Sequence, residues 1–236
     1  MIVTIHQPEH LPWLGLLDKA SQADLWVLLD NVQYRRHYFQ NRNRIRSSNG
    51  ATYLTVPVHA TWGNDLIKDV TVDNHSNWQT KCWKTLQQSY ARAPHFREYA
   101  GYFADLYSKH WESLVDLNGD IIRFLLGAFR IEVETRLAST IECSGAASDL
   151  LLSICQNVGA TVYLSGISGR DYLELDDWAR AGIEVRFQEF YHPVYRQCFE
   201  PFMPCMSSVD LLFNHGPDAH QVLLDRSTPR LGHVFL

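Results

Sequence analysis

The sequence predicts an α/β fold, a mainly parallel sheet with flanking helices and a helical insertion, and three observations predict it. Residues 2–32 pass from an apolar run through a proline loop and a helix start to a second apolar run. Residues 161–190 repeat the order strand, glycine loop, helix, strand. Between them, from about residue 76 to about residue 130, apolar residues recur at helical spacing. Strands that alternate with helices are joined by crossovers, which bring neighbouring strands into parallel register.

The first strand is the apolar run at residues 2–5, and the stretch IHQPEHLPWLG at 5–15 ends it. Pro8 and Pro12 lack an amide donor and fix their own φ, so neither continues a ladder. Leu14, Leu17 and Ala20 then share one helical face of LGLLDKASQA. LWVLLDNV, residues 25–32, suits a buried strand with Asp30 and Asn31 at its carboxyl end. The βαβ unit so formed is expected to cross over right-handed. Polar, basic residues 33–50 follow, then ATYLTVPV as a strand closed by Pro57.

Residues 78–128 read as helices with breaks near Pro94 and Ser113, and Phe96, Tyr99, Phe103 and Tyr107 form a stripe expected in the core. SDLLLSICQNVG is a further helix and TVYLSG a strand that runs into the loop SGISGRDY. DYLELDDWARAG reads as a helix closed by Gly182, and IEVRFQEF as the last strand of the unit. No internal repeat, low-complexity tract or Pro/Gly/Ser-rich linker interrupts the chain, so one domain over residues 1–236 with a mainly helical insertion at about 76–130 is the expected organisation.

A formal net charge of -5 argues against broad electrostatic capture of nucleic acid. No apolar run approaches the roughly 20 residues of a membrane span and no basic, then apolar leader opens the sequence, so a cytoplasmic location is expected. Cys82, Cys143, Cys155, Cys198 and Cys205 are widely spaced without a C-x-x-C pair, so reduced thiols and no metal are expected.

Four polar segments, 6–12, 30–46, 165–172 and 191–198, each follow an expected strand and should converge on one cleft at the carboxyl edge of the sheet. In the first, His6 can work as acid or base near neutral pH and Gln7 can hydrogen-bond a substrate, or both can simply tie down the proline loop. Glu9 and His10 read as solvated residues. In the second, Arg35, Arg36, Arg42, Arg44 and Arg46 stand among Tyr34, Tyr38 and Phe39. This is a solvated basic loop or a set of bidentate phosphate binders with stacking partners, in which Asn41 and Asn43 read a polar ligand. In extended backbone Arg42 and Arg44 face one side and can clamp a diphosphate; Arg46, nearer the SSNG turn, should matter less.

In the third segment Ser165, Gly166, Ser168 and Gly169 allow close backbone approach to a ligand, although the lysine and spacing of a Walker loop are absent. The fourth supplies His192, Tyr195, Gln197 and Cys198. A Cys/His nucleophilic pair there needs a geometry that proximity in sequence does not provide.

IHQPEHLPWLG, DNVQY, QNRNRIR, YLTVPV, YLSGISGRDYL, YHPVYRQ and SSVDLLFNHG, in that order, resemble the WbqC-like family over nearly the whole chain. The matching positions are His6, Gln7 and Pro8; Asp30 and Gln33; Asn41, Arg42 and Ile45; Ser165, Gly166, Gly169 and Tyr172; His192, Tyr195 and Gln197; and Asp210 with Gly216. His10 departs from the pattern, which more often has an aromatic there. The resemblance implies a setting of surface polysaccharide (O-antigen type) biosynthesis. It implies an enzyme that modifies an amino sugar or nucleotide-sugar, with acyl or aminoacyl transfer as the leading expectation and His6 or His192 as the base. Nucleotidyl or phosphoryl transfer and non-catalytic sugar-nucleotide binding are the alternatives. The opening also resembles nucleotidyltransferases with a histidine-x-glycine-histidine core, but Leu16 stands where their second histidine belongs. A small, phosphate-bearing substrate is the expected partner; the motifs specify neither a cofactor nor an oligomeric state.

Overall fold

The structure, a computed structural model, describes residues 1–60, 65–227 and 229–233. The chain opens with β1 (Ile2–His6), α1 (Leu14–Ala20) and β2 (Leu25–Leu28), then makes a hairpin of β3 (Arg42–Ser47) and β4 (Gly50–Thr55). A short pair, β5 (Val58–His59) and β6 (Thr71–Val72), leads into helices α2 (Trp78–Tyr90), α3 (Phe96–Leu106) and α4 (Leu114–Ala128). Next come β7 (Glu134–Leu137), α5 (Ser148–Asn157), β8 (Val162–Ser165), α6 (Leu175–Arg180) and β9 (Glu184–Phe187). The chain closes with β10 (Tyr191–Pro193), α7 (Ser208–His215), α8 (Ala219–Leu224) and β11 (Arg230–His233).

The main sheet has the order β7-β2-β1-β8-β9, and all its pairs are parallel. Counted along the chain, its strands run 3-2-1-4-5, a doubly wound order. From β1 the chain fills one side of the sheet, then returns to fill the other. Segments leaving β1 and β8 therefore diverge, and a crevice opens between their carboxyl ends.

Each residue of β2 is buried, because both faces of the sheet are covered. Leu25 and Val27 pack with α5 and with Trp178 of α6, whereas Trp26 and Leu28 pack with α1 and the helices α2 to α4. The aromatic stripe lies in that second cluster: Phe103 is fully buried, Phe96 and Tyr107 nearly so, and Tyr99 packs at its margin. Among the described residues no helix is long and apolar enough to cross a membrane. All five cysteines are free thiols.

Three segments differ from the sequence reading. The edge strand β7 gave no signal, because ETRL is polar and exposed and an edge needs apolar side chains on neither face. The helix expected from Asp171 to Gly182 is broken: residues Ile167–Asp171 form a 3-10 turn, and α6 starts only at Leu175. Basic residues 42–47 are a strand paired with β4, closed by Gly50 at φ 107°. Alternation along it turns Asn43 and Ile45 inward and leaves Arg42 and Arg44 half-buried, but Arg46 breaks the pattern.

Arg46 was expected near an exposed turn; it is instead 2% exposed. Its guanidinium donates to the carbonyls of Ser47, Glu200 and Pro201, and its amide donates to the Tyr90 hydroxyl. Tyr90 in turn donates to Asp210 at 2.8 Å, and Asp210 also accepts from Tyr195 (2.9 Å) and Gln197 (2.7 Å). Asp210 sits in the first turn of α7, where the helix dipole favours its charge. Burial raises its pKa and the three donated bonds oppose that rise. Each bond to such a buried carboxylate contributes about 1.5–3 kcal/mol. Tyr195→Phe, which deletes one donor and little volume, should lower the unfolding free energy by about that amount in a urea titration.

Candidate functional site

The crevice between β1 and β8 holds a cavity of about 370 Å³. His6, the last residue of β1, stands on its floor, and Gly166, Ile167 and Ser168, which follow β8, form one wall. Close packing makes the opposite wall. The Trp13 indole lies so near α1 that a Cβ on Gly15 would come within 2.3 Å of it, which only glycine avoids. Trp13 also meets Phe190 edge-on, with centroids 5.2 Å apart. Across the crevice, a Cβ on Gly169 would collide with the Ser165 hydroxyl, so the turn after β8 likewise requires glycine.

Buried amides hold the proline loop in place. Leu11 takes φ 49°, a conformation that costs a non-glycine residue about 1–2 kcal/mol. Its carbonyl accepts from Asn43 Nδ2, while the carbonyls of Pro8 and Gln40 accept from Asn118 Nδ2. Gln40 Nε2 donates to Gln7 Oε1 at 2.5 Å, and the His10 amide donates to the Phe39 carbonyl. The strained loop is thus sewn to residues 39–43. His10 is fully buried rather than solvated, and burial pushes its imidazole down to about 4.

Three titratable groups meet on the cavity floor. His6 Nε2 lies 3.0 Å from Glu9 Oε1, and Glu9 is 3% exposed, not solvated. Lys19, also 3% exposed, donates to the Ile5 carbonyl at 3.4 Å and lines the same cavity. Burial pulls the Lys19 ammonium down to about 8, with Glu9 acting the other way. Burial and then the Lys19 charge push His6 below its usual value, while Glu9 pulls it up. His6 is therefore neutral at pH 7. The carboxylate of Glu9 accepts a hydrogen bond from Nε2–H, so the proton stays on Nε2 and Nδ1 is the basic nitrogen.

Arg35 and Tyr38 stand at the rim, the guanidinium 5.2 Å from the ring centroid. Gln188 lines the cavity too, and its side chain binds Gly15 and Asp18 of α1. Trp13, Tyr38, Phe39, Tyr163, Tyr172 and Phe190 give the cavity aromatic surface on which a sugar or base can stack.

Of the expected site residues, the structure gathers His6, Gln7, Gly166, Ser168 and Tyr172 at this cavity, with Ser165 and Gly169 shaping its wall. Arg35, Tyr38 and Phe39 of the basic segment also line it, and the other expected residues lie outside. Asp30 accepts from the Ser139 amide and hydroxyl, and so anchors the turn after β7. Gln33 forms a backbone bridge with Leu66, and Asn41 donates to the Val56 carbonyl. Arg42 donates to the His37 carbonyl and stacks over Tyr53; Arg44 reaches the Cys205 carbonyl. His192 is fully buried, with Nδ1 on the Pro193 carbonyl and Nε2 accepting from the Cys205 amide, so neither nitrogen is free to move a substrate proton. Tyr195 and Gln197 serve Asp210. The fourth loop thus reaches the cavity only through Gln188 and Phe190, just ahead of it.

Sequence reasoning missed Glu9 as His6's partner, Lys19, Trp13 and Gln188. Nothing in the sequence sets Lys19 apart from a solvated lysine, because the burial of every residue of α1 shows only in the fold. Among the described residues one metal-competent cluster occurs, His59 with Asp73 and His75, and it lies away from the cavity lining.

The WbqC-like protein family profile matches residues 7–222. An uncharacterized protein of Mycobacterium tuberculosis is 31% identical over 227 residues, which cover 94% of this chain and 96% of that one. No solved structure matches the chain.

The cavity floor makes a titration prediction. In NMR the His6 imidazole should titrate below 6.5. Lys19→Met, which removes a repelling charge, should raise that value, and Glu9→Gln should lower it further. A His6 that titrates normally and ignores both substitutions would break the proposed coupling.

Proposed function

The chain belongs to the WbqC-like protein family, and we propose that it is a transferase that moves an acyl or aminoacyl group onto the amine of a phosphate-bearing amino sugar, in surface polysaccharide biosynthesis of the O-antigen type. The observation that carries this reading is the His6–Glu9 pair at the carboxyl end of β1. His6 Nδ1 takes the proton from the attacking amine as the new C–N bond forms, and Glu9 steadies the imidazolium that results. Lys19 and the polar groups of the Gly166–Ser168 wall face the carbonyl oxygen as it gains charge, and the bond to the donor's sulfur or oxygen then breaks as the His6 imidazolium returns its proton to that atom, which leaves as a thiol or alcohol. Arg35 holds the phosphate, and the aromatic walls hold the sugar or base. Arg42 and Arg44, expected as the clamp, are not needed for it.

The two cations at a doubly wound switch point favour a second reading, nucleotidyl or phosphoryl transfer. That reaction would require magnesium and release a nucleoside diphosphate or pyrophosphate, whereas acyl transfer would release a free thiol or alcohol. Thermal-shift screening of nucleotide-sugars, acyl thioesters and nucleoside triphosphates identifies the pair to assay.

With that pair, His6→Gln should reduce turnover by about 10²- to 10⁴-fold and leave substrate binding nearly unchanged. The wild-type rate should climb with pH while His6 loses its proton, below pH 6.5, and then level off. Full turnover by His6→Gln, or turnover lost only in Arg42→Lys, would overturn the assignment.

A further inference from the structure

We propose that His59, Asp73 and His75 form a zinc-binding site on the β5–β6 hairpin, separate from the cavity. Each residue offers a ligand atom, and the three atoms lie within 4.8 Å of one another. Their approach is built into the backbone. His59 is paired with Thr71, and the Asp73 amide donates to the Pro57 carbonyl at 2.8 Å, so the hairpin brings Asp73 beside His59. His59 Nε2 lies 3.6 Å from Asp73 Oδ1. The His75 amide donates to the same oxygen at 2.9 Å, which orients the carboxylate. The His59 and His75 ring centroids are 6.3 Å apart.

Two imidazoles and a carboxylate suit zinc or a neighbouring first-row cation, whereas calcium and magnesium take all-oxygen sets. Ligand atoms bound to zinc at about 2.0–2.2 Å in a tetrahedron are about 3.4 Å apart, so a small rotation of the exposed rings completes the set. His110 and Glu112 border the same surface depression, of about 400 Å³, which leaves room for water at the fourth position. The bound ion would join residue 59 to residues 73 and 75 across the segment between them, and would stabilise the folded chain.

The test is calorimetric titration of the untagged full chain with zinc alone, beside its melting curve. We expect one saturable site of micromolar affinity and a rise in melting temperature with zinc. His75→Asn and Asp73→Asn should each weaken binding by about 10- to 100-fold or more and abolish the rise. His75 is exposed, and an asparagine at position 73 keeps an oxygen that can accept from the His75 amide, so the zinc-free melting temperature should change little. No saturable binding, or binding that is the same in both variants because cysteines carry it, would overturn the proposal. His6→Gln should leave zinc binding intact, which separates this result from the fate of the transferase reading.

Discussion

Because β1 has β2 on one side and β8 on the other, the segments that leave β1 and β8 must part at the carboxyl edge of the sheet, and everything in the cavity follows from that divergence. It places His6 at the bottom of an opening and the Gly166–Ser168 wall across from it. It also forces the chain after His6 to turn back at once, because α1 must start within reach of the sheet. Two prolines, a left-handed Leu11 and a glycine beneath the Trp13 ring accomplish that turn. Loops so constrained hold their shape only if their carbonyls are satisfied, which is the work of Asn43 and Asn118 from neighbouring elements.

The electrostatics of the floor follow from the same packing. A lysine and a glutamate so nearly excluded from water interact more strongly than they would on a surface. Lys19 falls to about 8 and so carries most of its charge at neutral pH. Burial first, and then that charge, favour the neutral form of His6, while Glu9 fixes which nitrogen bears the proton. The combination of a neutral, oriented imidazole and a nearby cation is what proton abstraction followed by oxyanion stabilisation requires.

The sequence made the fold legible wherever hydrophobic period was plain: the βαβ start, the three central helices and the strand at 162–165 all follow from it. It hid β7 and β3, whose side chains are polar or basic, because pairing rather than apolar alternation makes them strands. Site residues divided for a different reason. A polar side chain that binds a ligand and one that satisfies a buried carbonyl or carboxylate are the same residue types in the same kinds of loop. Tyr195 and Gln197 look like ligand contacts until Asp210, far along the chain from Tyr90, is seen to gather all three. Conversely Glu9 and His10 looked solvated because nothing local shows that residues 39–43 and 118 close over them.

The transferase reading puts its ligand in the crevice between β1 and β8. Hydrogen exchange read peptide by peptide tests it most directly, with a nucleotide-linked amino sugar added at a concentration that raises the melting temperature. New protection is expected in residues 6–16, 35–39 and 165–172, with little change in residues 42–47 and 191–198. Protection confined to residues 42–47 or 191–198, with the crevice peptides unaltered, would contradict that reading.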